Sequence, residues 1–217
     1  MLTLLSETGR EKNMLYSYKE VLKIYGTDYR LKQAIASKKI YRIECGVYSD
    51  GRHNFTTYEL MLKKYPTAFL VKSSALFHMG FIQEEPELIH LGTARNALRI
   101  SDKRVKQHFY SNLDRPESRE THIRSYISDN GNEIRMLNWS RIFLDLIRDR
   151  ANYPRDELIR LLELFRDCKY FAGSDIDEWT LIMRVINDSQ LCTIIEDVCQ
   201  YARERQWEQE FWAEWEE

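Results

Sequence analysis

The stretch Ser17-Tyr18-Lys19-Glu20-Val21-Leu22-Lys23-Ile24-Tyr25-Gly26-Thr27-Asp28-Tyr29-Arg30-Leu31-Lys32-Gln33-Ala34-Ile35 decides the fold of this chain. Ser17 stands three residues before Glu20, the spacing at which a hydroxyl and a carboxylate each satisfy a free backbone N–H at a helix start. Val21, Leu22 and Ile24 supply that helix with an apolar side, and Gly26 stops it. Thr27 or Asp28 then caps a second helix, in which Leu31, Ala34 and Ile35 fall at i, i+3 and i+4. Tyr29, Arg30, Lys32, Gln33 and Lys38 are left for its other faces. A short joint containing Gly between two such helices is helix-turn-helix spacing.

Working outward, Leu2, Leu4 and Leu5 predict a short apolar helix closing near Gly9, with a polar link to Asn13 before Met14-Leu15-Tyr16. Downstream, Ile40-Tyr41-Arg42-Ile43-Glu44 alternates at period two, Cys45-Gly46 marks a turn and Val47-Tyr48 begins a return strand. Helix, helix, helix, hairpin is a winged-helix order, predicted as a domain over residues 1–52. In that arrangement the helix from Thr27 to Lys38 enters a DNA major groove. Thr27 and Tyr29 open its surface, Arg30, Lys32 and Gln33 reach base edges, and Lys38, Lys39 and Arg42 meet phosphates. The plainer alternative is a small docking module whose basic residues keep it soluble.

Charge is unevenly spread. Residues 1–52 hold ten Lys and Arg against six Asp and Glu, residues 53–150 fifteen against twelve, and residues 151–217 seven against sixteen. A polyanion would therefore be met toward the N-terminus and repelled by the last third. With 217 residues, 43% hydrophobic, 30% charged and only 8 Gly and 4 Pro, the chain has the composition of an ordered globular protein able to bury its own core. No apolar run approaches the roughly 20 residues of a membrane span. The opening residues lack the pattern of a secretory signal, and Cys45, Cys168, Cys192 and Cys199 have the spacing of reduced thiols, so a cytoplasmic location is expected.

Residues 53–217 are expected to form a second, mixed domain, making the whole α+β. Helices are predicted over Tyr58–Tyr65 and Ser73–Met79, and a small antiparallel sheet over about 88–137. Its strands are Leu88–Gly92, Val105–Tyr110, and Arg124–Ser128 with Glu133–Leu137 around the hairpin signal Asp129-Asn130-Gly131-Asn132. Helices fill 138–217, the first capped by Asn138 and striped with Ile142, Phe143, Leu146 and Ile147, and broken at Asn152-Tyr153-Pro154. Later stripes run through Leu158, Leu161, Leu162 and Phe165, then Trp179, Ile182, Met183 and Ile186, then Leu191, Ile194, Ile195, Val198 and Ala202. In one straight last helix, Trp207, Phe211 and Trp215 would lie largely opposite the Leu191 stripe. The helix therefore bends near Arg203–Gln206, or that acidic aromatic face contacts another surface or chain.

Three stretches, in this order, carry a family resemblance: Ile40-Tyr41-Arg42-Ile43-Glu44-Cys45-Gly46-Val47-Tyr48, Ser73-Ser74-Ala75-Leu76-Phe77-His78-Met79-Gly80-Phe81, and Arg141-Ile142-Phe143-Leu144-Asp145-Leu146. Over residues 14 to 165 the chain resembles the antitoxin and transcriptional repressor of abortive-infection E (AbiE) type toxin–antitoxin systems. That family commonly has a basic residue before Gly-Val-Tyr, whereas Glu44-Cys45 stands here and removes charge from the wing. His78, as a helix-face residue under the sheet, and Arg141 with Asp145, as an i, i+4 pair worth a few tenths of a kcal/mol when exposed, match family positions of structural kind. The resemblance implies a bacterial phage-defence protein that represses its own operon by binding double-stranded DNA. It also implies a neighbouring nucleotidyltransferase-like toxin, neutralised without obligatory direct binding. Inverted operator half-sites would need two copies of the chain.

No catalysis, cofactor or metal is expected. Gly173-Ser174 with Asp175 and Asp177 has residues in common with nucleotidyltransferase elements, but they are contiguous, and Ser174 with Asp177 has capping-box spacing. Cys192 and Cys199 share a helix face without a partner to complete a zinc set, and the histidines lack metal-binding spacing. Ser73 or Ser74 near His78 has a geometry that satisfies hydrogen bonds. An adaptor that docks proteins through the acidic, aromatic C-terminal helices is the alternative function.

Overall fold

A computed structural model describes residues 14–51, 55–111, 122–166, 189–200 and 204. The expected helix at Leu2–Gly9, the stripe around Trp179, the Gly173-Ser174 element and the Trp207, Phe211 and Trp215 face lie outside these residues. The fold is mixed α+β. Contacts group it into two units: the described residues up to Leu70 with those of 91–136, and 71–90 with those from 137 onward.

The first unit opens with strand β1 (Leu15–Ser17), helix α1 (Tyr18–Tyr25) and helix α2 (Asp28–Ala36), followed by the hairpin β2 (Tyr41–Glu44) and β3 (Val47–Ser49). Both helix starts follow from side-chain chemistry. Glu20 accepts the Ser17 N–H at 2.6 Å while the Ser17 hydroxyl accepts the Glu20 N–H, and the Thr27 hydroxyl accepts the Arg30 N–H. The hairpin and β1 form an antiparallel sheet in the order β1-β3-β2. Val21, Leu31, Ala34, Ile40 and Tyr48 fill the space between this sheet and the two helices, with Tyr16, Leu22, Tyr25 and Ile35 around them. Burying Leu31 alone is worth about 1.5–3 kcal/mol. The apolar face of α2 is thus committed to the core, which leaves its opposite face outside.

After α3 (Thr57–Lys64) comes a sheet of order β6-β5-β4-β8-β7, made of β4 (Phe69–Leu70), β5 (Ile89–Ala94), β6 (Val105–Tyr110), β7 (Ile123–Ile127) and β8 (Glu133–Leu137). The expected antiparallel sheet is instead mixed, because the unanticipated β4 runs antiparallel to β5 and parallel to β8. Ala68, Phe69, Leu70 and Val71 are all at most 1% exposed, so the strand has no alternation to betray it.

Glu59 joins these parts. It is 1% exposed, and its carboxylate accepts from the Thr56 N–H at 2.7 Å, the hydroxyls of Thr56 and Ser128, and the amides of Asn130 and Asn132. Asn132 in turn accepts the Leu15 N–H of β1 at 2.8 Å. Burial alone would raise the Glu59 pKa; the bonds from Ser128, the Thr56 N–H, Asn132 and Asn130 outweigh it and hold the carboxyl below its ordinary value.

The second unit packs α4 (Lys72–His78), α5 (Trp139–Arg148) and α6 (Arg155–Arg166), with helical residues 189–200. The Asn138 side chain caps α5 by accepting the Arg141 N–H at 2.8 Å. Phe165 lies 4.9 Å from the Phe81 ring and 5.2 Å from that of Phe143, both edge-on, with Trp139 at 6.4 Å. Leu191, Ile195 and Val198 are buried as their spacing predicts. Arg141 and Asp145 are 4% and 7% exposed, so they are interior residues and not an exposed pair. His78 sits on the exposed side at the end of α4, because the buried face of this helix is carried by Ser74, Ala75 and Leu76. The Ser74 hydroxyl accepts the His90 N–H at 2.8 Å, a structural use.

Because the Glu59 pKa is depressed on folding, its contribution is full above the ordinary carboxylate pKa of about 4.3 and fades as pH falls through the folded value. Glu59→Gln should lose about 2–3 kcal/mol at pH 7, and the gap from the parent should shrink below about pH 4. Urea unfolding at several pH values measures it.

Candidate nucleic-acid interface

Every residue singled out for DNA contact, namely Thr27, Tyr29, Arg30, Lys32, Gln33, Lys38, Lys39 and Arg42, is exposed. Their placement on α2 follows from helix geometry. With Leu31, Ala34 and Ile35 turned inward, Tyr29 and Gln33, about 40° apart around the axis, stand at the centre of the outward face. Arg30 and Lys32 flank them on opposite sides, about 160° from each other. The helix therefore does not bring Arg30 and Lys32 together, as one base-reading set would require; it spreads them around a polar, uncharged centre. The Gln33 amide donates to the Tyr29 hydroxyl at 3.0 Å.

Hydrogen bonds fix the helix at its start and its end. The Tyr18 hydroxyl donates to the Asp28 carboxylate at 2.8 Å, a bond that raises the Tyr18 pKa and braces the beginnings of α1 and α2. At the other end the Lys38 N–H donates to the Ile35 carbonyl and the Lys39 N–H to the Ala34 carbonyl, at 3.0 and 2.9 Å. This double closure puts Lys38 in the left-handed region at φ 57°, where Gly is the usual occupant. A long cationic side chain is kept at the helix end against a backbone preference.

The hairpin follows at once. Arg42 is exposed on β2, Cys45 is exposed at the tip, and Gly46 at φ 81° makes the turn, its carbonyl accepting the Tyr18 N–H at 3.0 Å. Glu44, the acidic residue expected to weaken the wing, is occupied. Arg104 grips it with two bonds of 2.8 and 2.9 Å, and Lys64 lies 3.6 Å away. Asp102 accepts from both Arg104 and Lys64. The Arg104 guanidinium lowers the Glu44 pKa and holds the Asp102 carboxyl well below the usual range. Two acids and two bases cancel beside the hairpin, so Glu44 sets no free negative charge against Arg42, Lys38 and Lys39. Among the described residues, Arg30 and Lys32 have no ion pair.

Sequence reasoning missed the Tyr29–Gln33 bond, the left-handed Lys38 and the Arg104 clamp. The first could have been found from the i, i+4 spacing; the clamp spans 60 positions and has no local signal. Among the described residues, no group of three or more His, Cys, Asp or Glu could hold a metal ion, and no helix is long and apolar enough to cross a membrane. No known family model matches the chain, and a search of curated proteins finds no match.

Lys38→Gly removes the left-handed penalty and should raise folding stability by about 0.5–1 kcal/mol, read as an increase in Tm. A fall in Tm would mean that the Lys38 stem packs.

Proposed function

We propose that this chain is a sequence-specific double-stranded DNA-binding repressor, with residues around α1, α2 and the β2–β3 hairpin acting as a winged helix-turn-helix. We further propose that it is the antitoxin of an abortive-infection E type operon. The observation that carries the DNA reading is the outward face of α2: exposed, polar and cationic, with Lys38 and Lys39 at its end and Arg42 exposed on the strand that follows. Long side chains rich in donors on one exposed helix are what groove entry requires, and cations on its flanks neutralise phosphates. The neutralised Glu44 supports the hairpin as a backbone-contacting wing. Two copies would occupy inverted half-sites about one helical turn apart.

The antitoxin half of the proposal is supported by the ordered motifs ending in Gly46-Val47-Tyr48, Phe77-His78-Met79-Gly80 and Arg141–Asp145. Its partner would be a nucleotidyltransferase-like toxin encoded next to it, opposed without a required complex, in the cytoplasm of a bacterium. Co-expression of the two neighbouring genes should restore growth that the toxin alone arrests.

For DNA, Arg30→Ala with Lys32→Ala should weaken binding to the duplex upstream of the chain's own gene more than tenfold at fixed salt. The slope of log affinity against log salt should fall by about 2. Unchanged affinity and slope would overturn the assignment of α2.

A further inference from the structure

The centre of the outward face of α2 holds neither of its cations but an amide and a phenol already bonded to each other. Gln33 Nε2 spends one of its two protons on the Tyr29 hydroxyl, at 3.0 Å. A glutamine amide has two donors and one two-lone-pair acceptor, so this bond leaves one N–H and the whole of Oε1 unspent and tethers the amide to the Tyr29 hydroxyl. With the proton anti to Oε1 given to Tyr29, the free N–H and Oε1 lie side by side as the complement of the major-groove edge of adenine, whose N7 accepts and whose N6 amino group donates; guanine offers two acceptors there. Tyr29 is 70% exposed and both residues belong to one rigid turn of helix, so orienting the amide costs no movement of the fold. Ala36, about 20° from Tyr29 on the same face and exposed, carries only a methyl group and lets the helix axis come close to the bases.

We propose that Gln33 is the base-reading residue of this chain and specifies adenine in an A·T pair, with Tyr29 as the residue that positions its amide. Arg30 and Lys32, on the flanks, then act on phosphates and carry affinity without sequence. This division of labour rests on the reading of α2 as the groove helix and goes beyond it, because it names which residue discriminates and which base it selects.

Selection of binding sites by the full-length chain from a random duplex pool tests the assignment, comparing the parent with Gln33→Ala and Tyr29→Phe. The parent should recover a site with one position per half-site fixed as A·T. Gln33→Ala should degrade that single position, with about a ten- to hundredfold loss of preference over G·C, and leave the other positions and the Tm intact. Tyr29→Phe, which keeps the ring and loses the hydroxyl, should lower the preference at the same position by a smaller factor. If Gln33→Ala selects the parental site unchanged, or loses all positions equally, Gln33 is not the reader and the repressor proposal still stands. If Tyr29→Phe leaves that position untouched, the positioning role of Tyr29 is wrong. If the parent binds no duplex, the repressor proposal and this inference fall together.

Discussion

A single buried carboxylate holds the part of this protein that carries α1 and α2 to the rest of its unit. Glu59 starts α3 as a helix cap, yet its oxygens also receive Ser128, Asn130 and Asn132 from the β7–β8 turn, and Asn132 takes the N–H of Leu15 on β1. A charge placed in an apolar interior costs several kcal/mol unless its lone pairs are filled, so the arrangement persists only when all partners arrive together. That condition makes α3, the hairpin turn and the edge of the three-stranded sheet cooperative. The sheet carries α1 and α2 on one face through Val21, Leu31, Ala34 and Tyr48, and so the orientation of the exposed face of α2 is set, link by link, from Glu59.

The same logic of occupied charges shapes the surface. Glu44 and Asp102 would have opposed any anion near the hairpin, but Arg104 and Lys64 spend their charge on them. What remains outward on α2 and the hairpin is a polar centre flanked by cations. Salt-dependent attraction from Arg30, Lys32, Lys38, Lys39 and Arg42 would bring a duplex to the surface, and the short-range geometry of Tyr29 and Gln33 would then discriminate among sequences.

Much of the local structure was readable from residue chemistry. The Ser17–Glu20 box, the Thr27 and Asn138 caps, the Gly26 stop and the Asn130-Gly131 turn each depend on groups a few positions apart, and each forms as its spacing predicts. The Thr56–Glu59 spacing carried the same signal unread, though nothing local could reveal that Glu59 would also serve a turn some 70 residues on. Strands β1 and β4 escaped because they are short and owe their existence to partners: β1 pairs with β3 some 30 residues later, and β4 is buried without alternation. The exposed residues of α2 were legible from the 3.6-residue period. Their division into centre and flanks follows from the packing that commits Leu31, Ala34 and Ile35 to the core, and the Arg104 clamp on Glu44 is a tertiary fact.

The central claim is that a duplex lies against the outward face of α2. Hydroxyl-radical footprinting of the protein, read by mass spectrometry with and without the duplex from upstream of its own gene, tests it directly. The account predicts that oxidation of Tyr29 falls severalfold on adding DNA while Phe109 on β6 and Leu88 before β5, both exposed, keep their rates. Protection of those residues with Tyr29 still fully reactive would contradict it.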